Sequence, residues 1–212
     1  MTSFSFVAAQ NNITEFLGIQ LDGTKSEMIK KIEEKGFKYD QENGRLTGIY
    51  EKEEVQLEVE TNDSGKVWRI VLFDKNFRNE IDIRDRFNSL FKQFSKNYMH
   101  LSGSNIPKKE SIIEGIKTDK YRADFGQVFK EVDAKQVAAI IMERYSKDKL
   151  KELVFTEKFS VAKQFVNESV SILSDLAKQR LIWFKIEDNS GQYRIVMFFQ
   201  NEKNKPQNGG NL

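Results

Sequence analysis

Hydrophobic and polar residues alternate most clearly in two hairpins that resemble each other. The first runs from Leu57 to Phe73 and the second from Phe184 to Phe198. In each, alternating residues lead into a turn that ends in Ser-Gly, followed by an aromatic residue, Arg-Ile-Val, one further apolar residue and Phe. Period-two alternation is typical of half-buried antiparallel strands. Because a whole hairpin recurs, we predict a duplicated unit.

Helical periodicity appears elsewhere along the chain. We predict helices over residues 24–35, 81–96, 133–145 and 160–179, of which the third could also be a strand. Thr24 and Glu27 have the spacing of a capping box, which predicts where the first helix begins. The second has an apolar stripe, with acids near its start and lysines near its end, as the helix dipole favours.

The predicted fold class is α+β, with two tandem units that each combine a helix with an antiparallel sheet. The units are predicted to cover residues 13–99 and 106–200, with extra helices inserted in the second unit. Predicted strands lie near residues 37–39, 45–50, 55–60, 66–73, 121–129, 181–187 and 193–199. Residues 201–212 carry little to bury, so we predict a flexible tail there.

Composition permits a sizeable core and argues against several function classes. Of 212 residues, 39% are hydrophobic and 17 are Phe, so disorder of the whole chain is not expected. The net charge of +2 comes from interspersed acids and bases, which does not favour a nucleic-acid partner. There is no cysteine, which rules out disulfides and thiol chemistry. No apolar run reaches the roughly 20 residues of a transmembrane helix.

The first ten residues suggest export. Phe4, Phe6 and Val7 resemble the end of an apolar signal-peptide region, and Val7-Ala8-Ala9 fits the small-residue pattern before a signal peptidase cut. Residues 1–10 are therefore a candidate signal-peptide remnant, and we predict a periplasmic or otherwise exported protein. The alternative is an ordinary apolar N-terminal strand.

No pattern in the sequence indicates catalysis. His100 is the only histidine, so a triad or a histidine metal site lacks partners, and we expect a surface residue. The turns at 62–65 and 188–191 resemble calcium loops only faintly and are explained by turn chemistry. We predict no catalytic residue, cofactor or metal. A carboxylate-based hydrolase, with two acids roughly 5 to 9.5 Å apart, is the less favoured alternative.

Strand alternation points to a candidate binding face. Arg69, Val71 and Phe73 share one face of their strand, and Trp68, Ile70 and Leu72 share the other. If helices cover the second face, the first presents arginine and aromatic groups, which interface hot spots favour. The candidate residues are Arg69, Phe73, Trp183, Lys185 and Arg194. The alternative is that both faces are covered, including Trp183.

Several segments of the chain carry a family resemblance: Phe16–Ile19, Asp22–Ile29, Lys35–Phe37, the Arg-Ile-Val strands at 69–71 and 194–196, and the ending 201–212. With these segments the chain resembles a group of exported bacterial proteins built like the β-lactamase inhibitory protein and related to SmpA/OmlA-type envelope modules. The resemblance covers nearly the whole chain except roughly residues 130–180. It implies two tandem units whose sheets form a shared binding surface, without a catalytic site.

These observations predict an exported binding or inhibitor-like module that recognises a protein or an envelope polymer through a sheet face. Trp183→Ala combined with Arg194→Ala is then expected to abolish partner capture and leave thermal stability nearly unchanged. The alternative is an envelope assembly factor that uses its helices, which an exposed amphipathic helix at 160–179 would favour. Partner identity and oligomeric state stay open at this point.

Overall fold

One large antiparallel sheet organises the chain. The computed structural model describes residues 13–128, 130–145 and 159–207. The strands are β1 (Glu15–Phe16), β2 (Ile19–Gln20), β3 (Lys38–Asp40), β4 (Arg45–Tyr50), β5 (Glu53–Thr61), β6 (Val67–Asp74), β7 (Met99–Ser102), β8 (Arg122–Gly126), β9 (Arg180–Asn189) and β10 (Gln192–Asn201). The helices are α1 (Lys25–Glu33), α2 (Glu80–Asn97), α3 (Ile112–Lys117), α4 (Lys130–Arg144) and α5 (Phe159–Lys178), with a 3-10 turn at Glu202–Asn204. The predicted α+β class is confirmed.

Strands β1 and β2 pair with each other in a small separate sheet. The large sheet contains the other eight described strands in the order β3-β4-β5-β6-β10-β9-β8-β7, and all neighbouring strands are antiparallel. The sheet therefore continues from strands of the first half of the chain into strands of the second half through the pairing of β6 with β10. In that pair Leu72 lies opposite Met197, Val71 opposite Phe198 and Phe73 opposite Val196. The two recurring hairpins are thus direct neighbours at the centre of the sheet.

Three helices cover one face of this sheet. The main hydrophobic core contains Ile70 and Leu72 from β6 and Phe184 from β9, packed against buried residues of α1, α2 and α3. Helix α2 packs against β7, β8, β9 and β10, so it covers strands of the second half of the chain. Among the described residues, no helix combines the length and apolarity needed to cross a bilayer.

The predicted helices are all present. Thr24 caps α1, and Glu27 completes the capping box by accepting a hydrogen bond from the Thr24 backbone N–H at 2.9 Å. The segment that could have been a strand is helix α4. Strand β7 and helix α3 were not predicted, and β7 begins at the last residue of the first predicted unit and continues into the interval between the two units.

Trp68 departs from the predicted alternation. The register between β5 and β6 shifts after Glu60, which pairs with Arg69, while Thr61 pairs with Val67. Trp68 is the extra residue of this β-bulge, and bulges re-aim side chains. Val67 joins the main core in its place, and the Trp68 ring contacts the Arg69 guanidinium group. The prediction that Trp68 shares the core face with Ile70 and Leu72 is therefore wrong at this residue.

The described part of the predicted tail is anchored. The Asn201 side chain is buried and donates a 2.8 Å hydrogen bond to the Leu21 carbonyl oxygen. The Asn204 side-chain amide donates to the Val67 carbonyl oxygen, also at 2.8 Å. The prediction of a flexible segment is wrong for residues 201–204, because their amide groups satisfy backbone groups of the core. Residues 1–10, which carry the export prediction, and 208–212 lie outside the described residues.

Helices α4 and α5 pack against each other, and α5 packs on β7, β8 and β9 of the sheet. Ile141, Ile172 and Leu176 form a small core of their own between the two helices. An added Cβ at Gly126 of β8 would lie 2.4 Å from the Ala177 Cβ, so only glycine permits this close approach of α5. The fully buried Arg180 joins β9 to Asp133 of α4, with an Nη2–Oδ1 distance of 2.6 Å.

Candidate binding face

The face of the sheet opposite the main core carries a layer of arginine and aromatic side chains. We call it the arginine–aromatic face, and its members are Arg45, Arg69, Phe73, Arg122, Trp183, Lys185, Arg194 and Phe198, with Phe77 from the loop after β6. Strand alternation places these side chains away from Ile70, Leu72 and Phe184. All five residues predicted from the sequence lie on this face.

The five predicted residues differ in accessibility. Phe73, Lys185 and Arg194 are half-buried, so part of each side chain is free to contact a partner. Arg69 and Trp183 are buried, with exposed fractions of 6% and 9%. These two residues support the surface from within and offer little area for contact.

Trp183 is held by several contacts. Its ring stacks on Phe198 with a centroid distance of 3.8 Å and an interplanar angle of 11°. The indole Nε1–H donates a 2.8 Å hydrogen bond to Gln200 Oε1, and the Arg122 guanidinium carbon lies 4.0 Å from the ring centroid. Replacing Trp183 by Ala would remove all of these contacts. The expectation that this change leaves stability nearly unchanged therefore does not fit the burial of the ring.

The two hairpins repeat one ion pair on this face. Arg69 Nη2 of β6 lies 2.7 Å from Glu60 Oε2 of β5. Arg194 Nε of β10 lies 2.5 Å from Glu187 Oε2 of β9. Since Arg69 and Arg194 occupy the same place in the repeated Arg-Ile-Val sequence, both hairpins hold an arginine in the same way.

Each of these arginines also lies over aromatic rings. The Arg69 guanidinium carbon is 4.4 Å from the Trp68 centroid and 5.4 Å from that of Phe198. The Arg194 carbon is 4.8 Å from the Phe73 centroid and 5.1 Å from that of Phe77. Cation–π contacts of this kind contribute about 0.5 to 1 kcal/mol at exposed sites. Arginines held by a carboxylate and a ring keep a fixed orientation.

Sequence reasoning missed Arg45, Arg122 and Phe77. Arg45 Nη2 pairs with Glu58 Oε1 at 2.5 Å, and its guanidinium carbon is 5.7 Å from the Phe73 centroid. Phe77 is 39% exposed in an otherwise polar loop. A large aromatic residue between Asn76 and Arg78 is the one signal in the sequence that could have indicated it. The contacts that place Arg45 and Arg122 on this face are made with residues of other strands, and the sequence does not reveal which strands are neighbours.

Outside this face, the buried Asp74 carboxylate pairs with Arg78 and Arg86, and Arg78 also pairs with Glu53. His100 is exposed, and its Nε2 lies 3.0 Å from the Gly103 carbonyl oxygen, as expected for a surface residue. A hydrogen bond from the Thr24 backbone lowers the pKa of Glu27, and a hydrogen bond from Lys120 lowers the pKa of Glu110. Within residues 13–128, 130–145 and 159–207, no group of three acidic or histidine side chains could hold a metal ion.

A separate apolar surface lies on the α4–α5 helix pair. Val166 and Val170 of α5 are 56% and 52% exposed. Val170 borders a shallow groove of about 330 Å³, whose other apolar lining residues are Val128, Ala134, Val137 and Leu173. Helix α5 is thus amphipathic and partly exposed, which is the feature that favours the assembly-factor alternative.

Comparisons of the chain with protein-family models, with curated proteins and with solved structures found no match.

Proposed function

We propose that this protein is an exported binding module that recognises a partner through the arginine–aromatic face, without catalysis. The observation that carries the proposal is the repeated arrangement of arginines, each fixed by a carboxylate and by aromatic rings, on the sheet face opposite α1, α2 and α3. Arginine and aromatic side chains are enriched among residues that dominate binding energy.

The proposal includes two units of the same design, related by an approximate two-fold axis between Leu72 and Met197. In the aligned hairpins Val71 corresponds to Val196 and Phe73 to Phe198. The register supports this relation, because each valine lies opposite the phenylalanine of the other hairpin. The sequence prediction ends the first unit at residue 99 and so includes α2 in it. Since α2 packs on β7–β10, we propose instead a boundary in the loop 75–79, with α2 in the second unit.

Rigidity favours recognition by this face. The rings of Trp183 and Phe198 are stacked, and the arginines are held by ion pairs, so these side chains have little freedom left to lose upon binding. Ordering a rotamer-rich side chain on association costs about 0.5 to 1.5 kcal/mol. Phe73, Phe77 and Arg194 then supply the accessible contact area around the buried support.

The export part of the proposal rests on Val7-Ala8-Ala9. Expression of the full gene in its own host, followed by fractionation and N-terminal sequencing of the product, tests it. A product in the exported fraction that begins near Gln10 supports the proposal. Cytoplasmic protein with residues 1–10 intact contradicts it.

The binding part is tested by quantitative affinity capture from envelope extracts with matched variants. Phe77→Ala with Arg194→Gln alters the arginine–aromatic face, and Lys92→Ala on the exposed side of α2 is the control. We expect a partner enriched by the wild-type protein and by the control to be lost with the double variant. Thermal melting of each variant verifies that the fold is intact. Equal enrichment by all three proteins contradicts the use of this face.

The exposed valines of α5 favour an envelope assembly factor as the second candidate function. In the same experiment Val166→Lys with Val170→Lys alters the helix pair and leaves the sheet unchanged. Loss of the partner with this variant alone supports the assembly-factor function. Loss with the face variant alone supports recognition through the sheet.

A further inference from the structure

We propose that Lys185 and Arg122 form a subsite that receives a carboxylate of the partner, which is then a protein segment with an acidic residue beside an apolar one. This inference rests on the proposed binding function and specifies the chemistry of the partner. Two corresponding places on the arginine–aromatic face differ in charge: one lies on β4 and β5, the other on β8 and β9.

On β4 and β5, an arginine faces an acid. Leu46 pairs with Leu57 in the sheet, and one position beyond them Arg45 and Glu58 form an ion pair between β4 and β5. On β8 and β9, Ala123 lies opposite Phe184, and one position beyond them Arg122 lies opposite Lys185 in the register of the two strands. An acid in the first hairpin thus corresponds to a lysine in the second.

Lys185 adds a positive charge that its surroundings do not neutralise by direct contact. Arg122 is paired along its own strand with Asp124, with an Nη2–Oδ1 distance of 2.8 Å. The other arginines of the face pair with Glu58, Glu60 and Glu187. In the described part of the chain, Lys185 forms no ion pair within 4.0 Å. Like charges directly opposite each other in a sheet are destabilising.

The geometry allows a partner group to supply the missing acid. Trp183 lies beneath Arg122, whose side chain is 36% exposed, so the guanidinium group has a fixed position and remains accessible. Lys185 is half-buried and lies directly opposite Arg122 in the register of β8 and β9, so both side chains can reach one group placed over this pair. A carboxylate between these two cations would complete the same Arg–acid arrangement that Arg45 and Glu58 form.

The charge balance favours one carboxylate over a phosphate or a polyanion. The four arginines of the face are each paired with an acid, which leaves Lys185 as the one cation in excess among the described residues of the face. Asp124 and Glu187 flank Lys185 on the same side of the sheet. These acids repel a doubly charged group more strongly than a singly charged one. Val196 lies between Lys185 and Phe73 in the register of the sheet, so the rings of Phe73 and Phe77 near Arg194 offer an apolar contact two strands away from Lys185. An acidic residue beside an apolar one matches both features.

The test titrates isotope-labelled full-length protein with two blocked peptides, acetyl-Phe-Glu-Phe-amide and acetyl-Phe-Gln-Phe-amide, and follows the Trp183 indole N–H by NMR. We expect the Glu peptide to shift this signal and to bind at least about tenfold more tightly than the Gln peptide. Lys185→Glu should abolish that preference and also raise the melting temperature, because it replaces a like-charge pair. Lys92→Glu on α2 is the charge-matched control and should change neither result.

Equal binding of both peptides, no saturable shift with the Glu peptide, or an unchanged preference in Lys185→Glu overturns the subsite. Displacement of the Glu peptide by inorganic phosphate at equal concentration also overturns it, since the site would then be an unselective anion site. These failures are distinct from failure of the proposed function. Partner capture depends on Phe77 and Arg194 and is measured without the peptides.

Discussion

At the scale of single residues, the buried ion pair between Arg180 and Asp133 links α4 to the sheet. Their side chains are 0% and 1% exposed. Removing one partner of such a pair leaves the other charge buried without compensation, whereas replacing both with apolar groups is often neutral or stabilising. We therefore expect Asp133→Ala to lower the free energy of unfolding by about 3 to 5 kcal/mol.

Urea unfolding measures this change. The matched control is Asp175→Ala, which removes an exposed carboxylate paired with Lys178 on α5 and should change stability by at most about 0.5 kcal/mol. The double variant Asp133→Leu with Arg180→Met should recover much of the loss. A cost of Asp133→Ala no larger than that of Asp175→Ala would contradict the structural role of the pair.

Trp183 gives the second prediction at this scale. We expect Trp183→Ala to cost about 3 to 5 kcal/mol in the free energy of unfolding, because the stack on Phe198 is lost. Trp183→Phe keeps an aromatic ring and should cost less, about 1 to 3 kcal/mol, because Gln200 Oε1 loses its donor. Chemical denaturation separates the two variants. Equal costs would indicate that stacking contributes little.

At the scale of elements, features set by neighbours in the sequence could be predicted, whereas contacts between residues distant in the sequence could not. The capping box of Thr24 and Glu27 and the apolar stripe of α2 depend on neighbours within a few residues, so the sequence was sufficient to place these helices. The bulge at Trp68 and the stack of Arg122 on Trp183 depend on how separate strands align. Alternation placed the candidate residues on one face but could not predict which of them are buried.

The C-terminal segment gives a prediction at this scale. Asn201→Ala should lower the free energy of unfolding by about 1 to 3 kcal/mol, because the buried Leu21 carbonyl oxygen loses its donor. Lys205→Ala is the control, since it removes only a partly exposed ion pair with Glu202. Differential scanning calorimetry of both variants makes the comparison. Matching melting temperatures would restore the prediction of a tail that contributes nothing to the fold.

At the scale of the whole molecule, buried tyrosines make stability sensitive to alkali. Burial and a hydrogen bond to Glu110 raise the pKa of Tyr121 to about 12, and burial also raises the pKa of Tyr193. Above pH of about 10 the unfolded chain has lost phenolic protons that the folded state keeps, so the free energy of unfolding falls up to about pH 12. Urea unfolding from pH 9 to 11 should show this decline, and Tyr121→Phe should make it shallower. A flat profile would contradict the raised pKa values.

The central pair of β6 and β10 decides whether the two halves of the molecule unfold together. Leu72 is fully buried opposite Met197, where the sheet passes from one hairpin to the other. Leu72→Ala should therefore cost about 2 to 5 kcal/mol and lower hydrogen-exchange protection equally in β4 and β8, although these strands lie on opposite sides of the pair. The corresponding change, Met197→Ala, should have the same effect. Loss of protection confined to β4 would mean that each half is stable without the other, and the arginine–aromatic face would then have no rigid support across its centre.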